Sequence, residues 1–424
     1  MSRCGSYGCL PLSTKPCGLA TEPGGMSQRS CVYFGARYVL GPIREALHLV
    51  HGPVGCLHYG QMVRGEKKNL VGTAVETQEI IFGGLDTLRQ ALFEGLSLFP
   101  HLKGAFLYAT CATGLIGEDL SSLAQEVEKE TGKRIIVLDC PGFSGKSQAS
   151  GHALAYQVLL SLLREEDKTP KPSVNLIGEY NVAGEAREIR RLLAALGVEV
   201  HTVLTGDTSL SEIEALGRAK LNLLFCGSTA RLFVEEVQGR LGLPWVKVSF
   251  YGRSATSASL RKVGEALGIP SPKVEALIHE EEKRLEEKLA PLLPVFKGKR
   301  VLIVLGAGRV GPLARVLQEL GFEVLGTASV FGSPEDHEEA APYSGFLTDD
   351  PGDDELEKMV SFLRPDLVIS NAREVWRLIK LGYPALSFPQ ERRRGPYTGY
   401  RGLFRLALDL YRLLTAPVFR LLAS

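Results

Sequence analysis

The 424-residue chain lacks the features that mark membrane, secreted and nucleic-acid-binding proteins. It has no apolar run near the ~18 residues that a membrane-spanning helix needs, and no signal-peptide pattern at its start. Its 49 Lys and Arg residues balance 48 Asp and Glu residues, so no excess of one sign indicates binding to nucleic acid or to a membrane surface. We therefore expect a cytoplasmic protein whose eight cysteines stay reduced and available as ligands.

The cysteines also lack the spacing of a zinc ribbon, because no CxxC occurs. Cys31 and Cys56 stand at the two ends of an amphipathic run, and Cys56 closes the tight turn HGPVGC. Cys111 follows a strand-like run and precedes Gly114 and a helix. Glycines beside a cysteine let backbone N–H groups turn toward its sulfur, as a metal-bound thiolate requires. This pattern leaves two hypotheses open: an iron–sulfur cluster shared with a second chain, or three small buried apolar residues.

The other cysteines give weaker signals. Cys4, Cys9 and Cys17 lie in a Gly-, Pro- and Ser-rich arm, with spacings that match no metal site. Cys226 ends the apolar strand-like run LNLLFC and begins a Gly-Ser-Thr loop. By itself such a cysteine is more often part of the core than a ligand.

Strand-like and helical stretches alternate along the chain, which predicts α/β structure with parallel sheets. We expect three Rossmann-like domains in series, with clusters bound between domains and at a subunit interface. The predicted boundaries are an N-terminal arm at 1–30, domain I at 31–168, domain II at 169–295, and domain III with a C-terminal helix at 296–424. Ligands of such sheets bind at the carboxyl ends of the strands, where Cys111, Cys226 and the loop after Leu305 lie.

Two glycine-containing motifs are candidates for phosphate sites. GAGRVG, residues 306–311, fits GxGxxG directly after a strand, but the next strand does not end in the acidic residue of a dinucleotide site. The alternative is a nest of backbone N–H groups at Gly306 and Gly308, beside Arg309, that faces an anionic ligand. The second motif, around Lys146, is not a P-loop, because Cys140 occupies the place of its first glycine.

One histidine lies in a suggestive position. His152 opens a predicted helix beside Gln148 in the run QASGH. A structural role is the default interpretation. A role as proton donor to a bound cluster is the alternative, because a histidine pKa is ordinarily near the working pH.

Many short motifs, in one order, resemble the α-type subunits of the nitrogenase component 1 family, which includes the catalytic NifD and the cofactor-assembly scaffold NifE. The resemblance covers nearly the whole chain. It is carried by CVYFGA, HGPVGC, ATCATGLIGEDL, LDCPGFSG, IGEYNVAGE, GDTSLSEIE, KLNLLFC, LPWVKVSFYG, KGKRVLIVLGAG, LGFEVLGT and QERRRGPYTGYRG.

The resemblance implies a function for each matching residue. Cys31, Cys56 and Cys111 correspond to the α-side ligands of an interface cluster, a [4Fe–4S] cluster in scaffolds and the larger P-cluster in catalytic members. Cys226 corresponds to the thiolate that anchors a complex iron–sulfur cofactor or its precursor, which can contain molybdenum and homocitrate. The residues that correspond to the lining of the cofactor pocket are Gln148, His152, Arg309, Arg64 and Arg373.

The resemblance also implies partners. A β-type subunit, NifN- or NifK-like, would supply the remaining cluster ligand and complete an α2β2 complex. An ATP-dependent Fe protein would deliver electrons singly to the interface cluster and from there to the cluster at Cys226. No nucleic acid and no membrane is expected.

The branch of the family depends on a few positions. Catalytic members hold the far end of the cofactor with a histidine shortly before the GPY segment, whereas this chain has Phe388-Pro389-Gln390-Glu391-Arg392 there. That stretch and the 25-residue step from Cys31 to Cys56 resemble NifE, so we expect a scaffold for cofactor biosynthesis. Gln148, His152 and Arg309 resemble NifD more than typical NifE.

Other functions stay open at this point. Within the family, the alternative is a nitrogenase-like reductase of the methylthio-alkane reductase type, with His152 donating protons to a substrate. Outside it, the alternatives are an NAD-dependent enzyme that uses GAGRVG and a metal-free binding subunit. Sequence alone therefore leaves the choice between enzyme and scaffold open.

Overall fold

The computed structural model describes residues 31–62, 69–144, 148–330, 334–349, 351–388 and 395–422. The predictions for Cys4, Cys9, Cys17 and Arg64, and for the segment 389–392, lie outside these ranges. Within the described ranges, no helix combines the length and the apolar character that a bilayer crossing demands.

The first sheet is parallel, with strand order β3-β2-β4-β5. The chain enters it through a helix and leaves it through another. The elements of this part are α1 (Val32–Leu40), β1 (Ile43–Arg44), β2 (Ala46–His51), α2 (Val54–Met62), β3 (Leu70–Gly72), α3 (Thr77–Phe82), α4 (Leu85–Leu98), β4 (Gly104–Ala109), α5 (Cys111–Ile116), α6 (Leu120–Thr131), β5 (Arg134–Asp139) and α7 (Gln148–Leu160).

The second sheet is also parallel, with order β10-β9-β6-β7, and the short strands β1 and β8 pair beside it. Its elements are β6 (Ser173–Glu179), α8 (Glu185–Ala195), β7 (Glu199–Thr205), β8 (Thr208–Ser209), α9 (Leu210–Glu214), β9 (Leu221–Leu224), α10 (Gly227–Leu241), β10 (Trp245–Lys247), α11 (Arg253–Ala266), α12 (Ser271–Leu289) and α13 (Leu293–Phe296).

The third sheet has five parallel strands in the order β13-β12-β11-β14-β15. Its elements are β11 (Arg300–Gly306), α14 (Ala307–Glu319), β12 (Glu323–Val330), α15 (Pro334–Ala340), β13 (Leu347–Asp349), α16 (Asp353–Leu363), β14 (Leu367–Ser370), α17 (Ala372–Lys380), β15 (Ala385–Ser387), α18 (Gly399–Thr415) and α19 (Pro417–Leu422).

Three parallel sheets flanked by helices confirm the predicted fold class of Rossmann-like units. One local expectation was wrong: the run between Cys31 and Cys56 is not one amphipathic segment. It divides at Gly41-Pro42 into α1 and the strand β2, and every residue of β2 is buried. A strand covered on both faces reads as a continuous apolar run, so its period is hidden in the sequence.

Two apolar cores join the three sheets. One contains Tyr33 from α1 together with Ile177 from β6. The other contains Leu223 from β9 together with Ile303 from β11. The helix α18 packs on α8, α11 and α12, so the end of the described chain returns to the second sheet. The domain boundaries at 168 and 295 stay predictions.

Helices α1 and α7 cross at two glycines. A β-carbon built on Gly35 would lie 2.1 Å from the carbonyl oxygen of Gln148, and one built on Gly151 would lie 2.1 Å from that of Val32. Contact this close requires glycine on both helices. The crossing fixes α1, which follows Cys31, against α7, which carries Gln148 and His152.

Candidate cluster-binding sites

The structure brings Cys31, Cys56 and Cys111 together at one edge of the first sheet. Cys31 is the N-cap of α1, Cys111 opens α5, and Cys56 lies in the first half of α2. Gly142 lies between two of them: its N–H donates to Cys111 Sγ over 3.1 Å. A β-carbon on Gly142 would lie 3.1 Å from the Cys31 β-carbon and 3.2 Å from Cys111 Sγ. Cys31 and Cys111 therefore border a space that a side chain at position 142 would fill.

Electrostatics at Cys31 and Cys56 favour the neutral thiol while no metal is bound. Burial raises the pKa of Cys31, against a hydrogen bond from the Phe34 N–H, and the nearby thiols raise it further. Burial also raises the pKa of Cys56, against a hydrogen bond with the Thr110 side chain. Among the described residues, no three His, Cys, Asp or Glu side chains could hold a single metal ion together. A polynuclear cluster takes its thiolates on separate irons.

A buried histidine holds the turn between β2 and α2. His51 Nε2 lies 2.9 Å from Glu118 Oε2, and its Nδ1 lies 3.0 Å from Thr73 Oγ1. Its carbonyl oxygen accepts hydrogen bonds from the hydroxyls of Thr110 and Thr113, each over 3.1 Å. These bonds tie the turn that precedes Cys56 to the start of α5. The burial of His51 lowers its pKa, although Glu118 acts in the opposite direction.

Cys226 marks a second site. Its side chain borders Gly178 and Gly308, and the space between them is called the recess below. It is the N-cap of α10, directly beyond β9. A β-carbon on Gly308 would lie 3.2 Å from Cys226 Sγ, and one on Gly178 would lie 3.2 Å from the Cys226 β-carbon. Gly178 has φ +77°, a left-handed conformation that glycine adopts freely. The Thr229 hydroxyl donates to Cys226 Sγ over 3.1 Å.

Gln148 and His152 lie on α7, and the His152 ring faces Tyr38 of α1 and Tyr180, which follows β6. Gln148 Nε2 lies 3.2 Å from His152 Nε2, and His152 Nδ1 is buried with no hydrogen-bond partner. The imidazole lies 5.7 Å, centroid to centroid, from both Tyr38 and Tyr180. Burial lowers the pKa of His152 to about 3. The expectation that this histidine titrates near the working pH was therefore wrong, since burial disfavours imidazolium. Neutral imidazole still has one N–H to donate.

Arg309 brings a positive charge to the same region. Its Nη2 lies 3.5 Å from Glu185 Oε1, and its guanidinium carbon lies 5.2 Å from the ring centre of Phe388. Burial acts to lower the pKa of Arg309, but the neighbouring Tyr251 and Glu185 outweigh it and the pKa is raised overall. The guanidinium keeps its charge at any working pH.

The structure shows fewer contacts for the remaining predicted residues. Gly306 ends β11, and a β-carbon there would meet nothing within 4 Å. Arg373 lies in the first turn of α17, directly beyond β14, but its side chain is outside the described part of the chain. Arg64 is outside it altogether.

Sequence reasoning missed several residues that the fold brings to these sites. Gly142 reaches Cys31 and Cys111, while Tyr180 and Glu185 reach the recess at Cys226. Tyr180 and Glu185 lie in IGEYNVAGE, which was matched only as a motif, and their distance in sequence from Cys226 hides the contact. The Gly142 contact had one signal, the PG pair directly after a strand.

The donor sets fit the clusters that the sequence implied. Three thiols with backbone and hydroxyl donors around one glycine-lined space suit an iron–sulfur cluster. At the second site, one thiol in a recess, a charged guanidinium and an unpartnered imidazole nitrogen suit an anionic metal–sulfur cofactor.

Comparisons with known proteins agree over nearly the full length. Residues 31–415 match the family of nitrogenase component 1 type oxidoreductases. The chain is 34% identical to a nitrogenase molybdenum-iron protein alpha chain of Methanothermobacter marburgensis, covering 96% of this chain and 92% of that one. It is also 34% identical to the iron-molybdenum cofactor biosynthesis protein NifE of Methanococcus maripaludis, covering 96% of this chain and 88% of that one.

Solved structures extend the likeness to three dimensions. A structure of nitrogenase Cp1 at pH 5 superposes with TM-score 0.88 at 26% identity, covering 99% of this chain and 94% of that one. A second, at pH 6.5, gives TM-score 0.86 at 25% identity, covering 95% and 92%. The chain therefore belongs to the nitrogenase component 1 type oxidoreductases, with relatives named both as nitrogenase alpha chains and as NifE.

Proposed function

We propose that this chain is a NifE-like α-type subunit that holds a precursor of the iron–molybdenum cofactor as cargo at Cys226 and passes it on. The observation that carries the proposal is that the chain offers a candidate anchor for one end of the cargo only. Cys226 supplies one thiol in the recess, and the sequence has no histidine between His337 and residue 424. A cargo held by one protein ligand can be released more readily than one held by two.

The relatives support a role linked to nitrogenase and do not favour the alternative reductase. Relatives at 30–34% identity include nitrogenase alpha chains and NifE proteins. The family binds iron–sulfur clusters, and its α-type members pair with β-type subunits. The reductase of another substrate has only the NifD-like residues Gln148, His152 and Arg309 in its favour.

The chain's own residues would hold the cargo in three ways. The thiolate of Cys226 would ligate an iron at one end, in a space that Gly308 leaves free. The guanidinium of Arg309 would attract the negative charge of the cargo. Gln148 and the neutral imidazole of His152 would offer N–H donors to its sulfides. Arg64, Arg373 and the N–H groups at Gly306 complete the predicted lining.

Cys31, Cys56 and Cys111 would hold a resident [4Fe–4S] or P-type cluster with a fourth ligand from a β-type, NifN- or NifK-like partner. Such a cluster supplies one-electron transfer when bound. The surroundings support a partner here, because apolar side chains beside the cysteines are exposed: Val54 at 66% and Leu115 at 72%. The expected assembly is α2β2, and an ATP-dependent Fe protein would deliver electrons to it.

The test compares iron in the anaerobically purified αβ complex before and after loading with the iron–sulfur precursor of the cofactor. Wild type should hold about four irons per αβ unit in a [4Fe–4S] cluster and gain more on loading. Cys226→Ala should keep the iron that is present before loading and should gain none on loading. Cys140→Ala is the matched control for the gain on loading, since Cys140 is buried on the side of Cys31 and is not a predicted ligand.

Two results would contradict the proposal. A wild-type complex without iron would remove both clusters, and GAGRVG would return as a dinucleotide site. A Cys226→Ala complex that loads as much iron as wild type would show that the anchor lies elsewhere.

A further inference from the structure

The hydroxyls of Thr229 and Tyr180 form a hydrogen-bonded chain that ends on the sulfur of Cys226. Thr229 Oγ1 donates to Cys226 Sγ over 3.1 Å, and the Tyr180 hydroxyl lies 3.1 Å from the same Thr229 oxygen. A hydroxyl has one proton to donate and two lone pairs to accept with. Because the Thr229 proton goes to the sulfur, the Tyr180 proton goes to Thr229. The two hydrogen bonds therefore point in one direction, from the tyrosine to the sulfur.

The backbone fixes both hydroxyls relative to the thiol. Thr229 lies in the first turn of α10, three residues after the N-cap Cys226, so the helix itself sets their separation. Tyr180 directly follows β6, the strand that pairs with β9. Its ring packs 5.0 Å from Tyr38 and 5.7 Å from His152, centroid to centroid. The two hydroxyls thus connect the thiol with the aromatic side of the recess.

The Tyr180 hydroxyl remains a hydrogen-bond donor. Burial raises the pKa of Tyr180 well above its usual value, so its hydroxyl keeps the proton at any working pH. Hydrogen bonds in series polarise one another, so the Tyr180 bond strengthens the one that Thr229 makes to sulfur.

We propose that Thr229 and Tyr180 are positioning residues that aim the Cys226 sulfur and draw electron density from it. This inference rests on the proposed function, in which Cys226 anchors the cargo. Hydrogen bonds to the sulfurs of an iron–sulfur cluster tune its reduction potential, and a donor stabilises the more negative, reduced state. The same donor weakens the thiolate as a ligand, which suits an anchor that releases its cargo.

The test uses the αβ complex loaded with the iron–sulfur precursor and measures the reduction potential of the bound cargo by EPR-monitored titration. Thr229→Val removes the hydroxyl and keeps the side-chain shape, and should shift the potential to a more negative value. Thr229→Ser keeps the hydroxyl and should match wild type. Tyr180→Phe should shift the potential in the same direction by a smaller amount, since it acts through Thr229.

A second readout is the rate at which the cargo leaves for an acceptor apo-protein. Thr229→Val should slow this transfer several-fold, and Thr229→Ser should not. Thr131→Val is the control, because the Thr131 hydroxyl lies at the end of α6, where it donates to the Val127 carbonyl and accepts from the Lys133 N–H. It should leave both readouts unchanged.

Failure of the inference and failure of the proposed function give different results. If Cys226→Ala abolishes loading while Thr229→Val matches wild type in potential and rate, the inference is overturned and the anchor stands. Equal shifts in the Val and Ser variants would also overturn it, because they would reflect packing and not the hydroxyl. If Cys226→Ala loads normally, the proposed function itself fails.

Discussion

Single atoms decide whether the recess at Cys226 has room for a bound group. The two glycines of GAGRVG that were predicted to contact a ligand are not equivalent. A β-carbon at Gly308 would lie 3.2 Å from Cys226 Sγ, so the glycine keeps that space open. A β-carbon at Gly306 would meet no atom within 4 Å. In a dinucleotide fingerprint, by contrast, the first glycine is needed for the tight turn.

This difference gives a residue-scale prediction. Gly308→Ala should crowd the sulfur and reduce the iron gained on loading the αβ complex, because a contact of 3.2 Å forces the thiol to move. Gly306→Ala should load as wild type does. The measurement is iron per αβ unit after loading. A larger loss from Gly306→Ala than from Gly308→Ala would contradict this view and favour the dinucleotide interpretation.

The buried pair of His51 and Glu118 gives a second residue-scale prediction. The side chain of His51 is fully buried and that of Glu118 is 5% exposed, and the carboxylate also accepts a hydrogen bond from the Gly84 N–H. Glu118→Ala should lower stability by about 1–3 kcal/mol, since it leaves buried donors unpaired. Glu118→Gln, which keeps one acceptor oxygen, should lose less. Urea unfolding midpoints measure both, and equal midpoints in wild type and Glu118→Ala would refute the expected effect.

At the scale of elements, the crossing of α1 and α7 links the two candidate sites. The N-terminus of α1 is capped by Cys31, and α7 carries Gln148 and His152. Backbone meets backbone at Gly35 and Gly151, so the two helices cannot separate without moving one site relative to the other.

Matched glycine substitutions test the crossing. Gly151→Ala should destabilise the protein by about 1–3 kcal/mol or more, because its β-carbon would lie 2.1 Å from a carbonyl oxygen of α1. Gly239→Ala, on the exposed side of α10 with nothing within 4 Å, should stabilise it by about 0.5–1 kcal/mol. Thermal unfolding measures both. Equal effects of the two substitutions would mean that the helices do not pack this closely.

The sequence predicted most of these elements and fewer of their contacts. Strands ending near Cys111, Cys226 and Gly306 were predicted, because apolar runs followed by small residues are local signals. The strand β2 was not, because its burial on both faces hides its period. The contacts of Gly142 and Tyr180 depend on segments far apart in the chain, so no local pattern carries them. The roles of the site residues stay predictions.

At the scale of the whole molecule, buried histidines set the acid sensitivity of the fold. Burial lowers the pKa of His48, of His51 and of His152, the last to about 3. An unfolded chain protonates its histidines near pH 6.5. Below that pH the unfolded state binds protons that the folded state does not. Stability is therefore fully present above about pH 6.5 and falls as the pH drops toward each folded pKa.

The expected slope is about 1.4 kcal/mol per pH unit for each such histidine below pH 6.5. For His152 the loss continues toward pH 3. His152→Gln should flatten the slope of stability by about that amount between pH 6.5 and 5. Urea unfolding at several pH values measures the slope. A variant with the same slope as wild type would mean that His152 is protonated in the folded protein.

The central claim is that Cys226 anchors a cargo that the complex gives up. The most direct test loads the anaerobic αβ complex with iron-labelled precursor, adds an acceptor apo-protein that lacks its cofactor, and follows the label. The scaffold account predicts that the label at Cys226 moves to the acceptor, while the iron held by Cys31, Cys56 and Cys111 stays. Label that remains on the complex, together with reduction of a substrate when an ATP-driven donor is supplied, would contradict the scaffold account and identify a reductase.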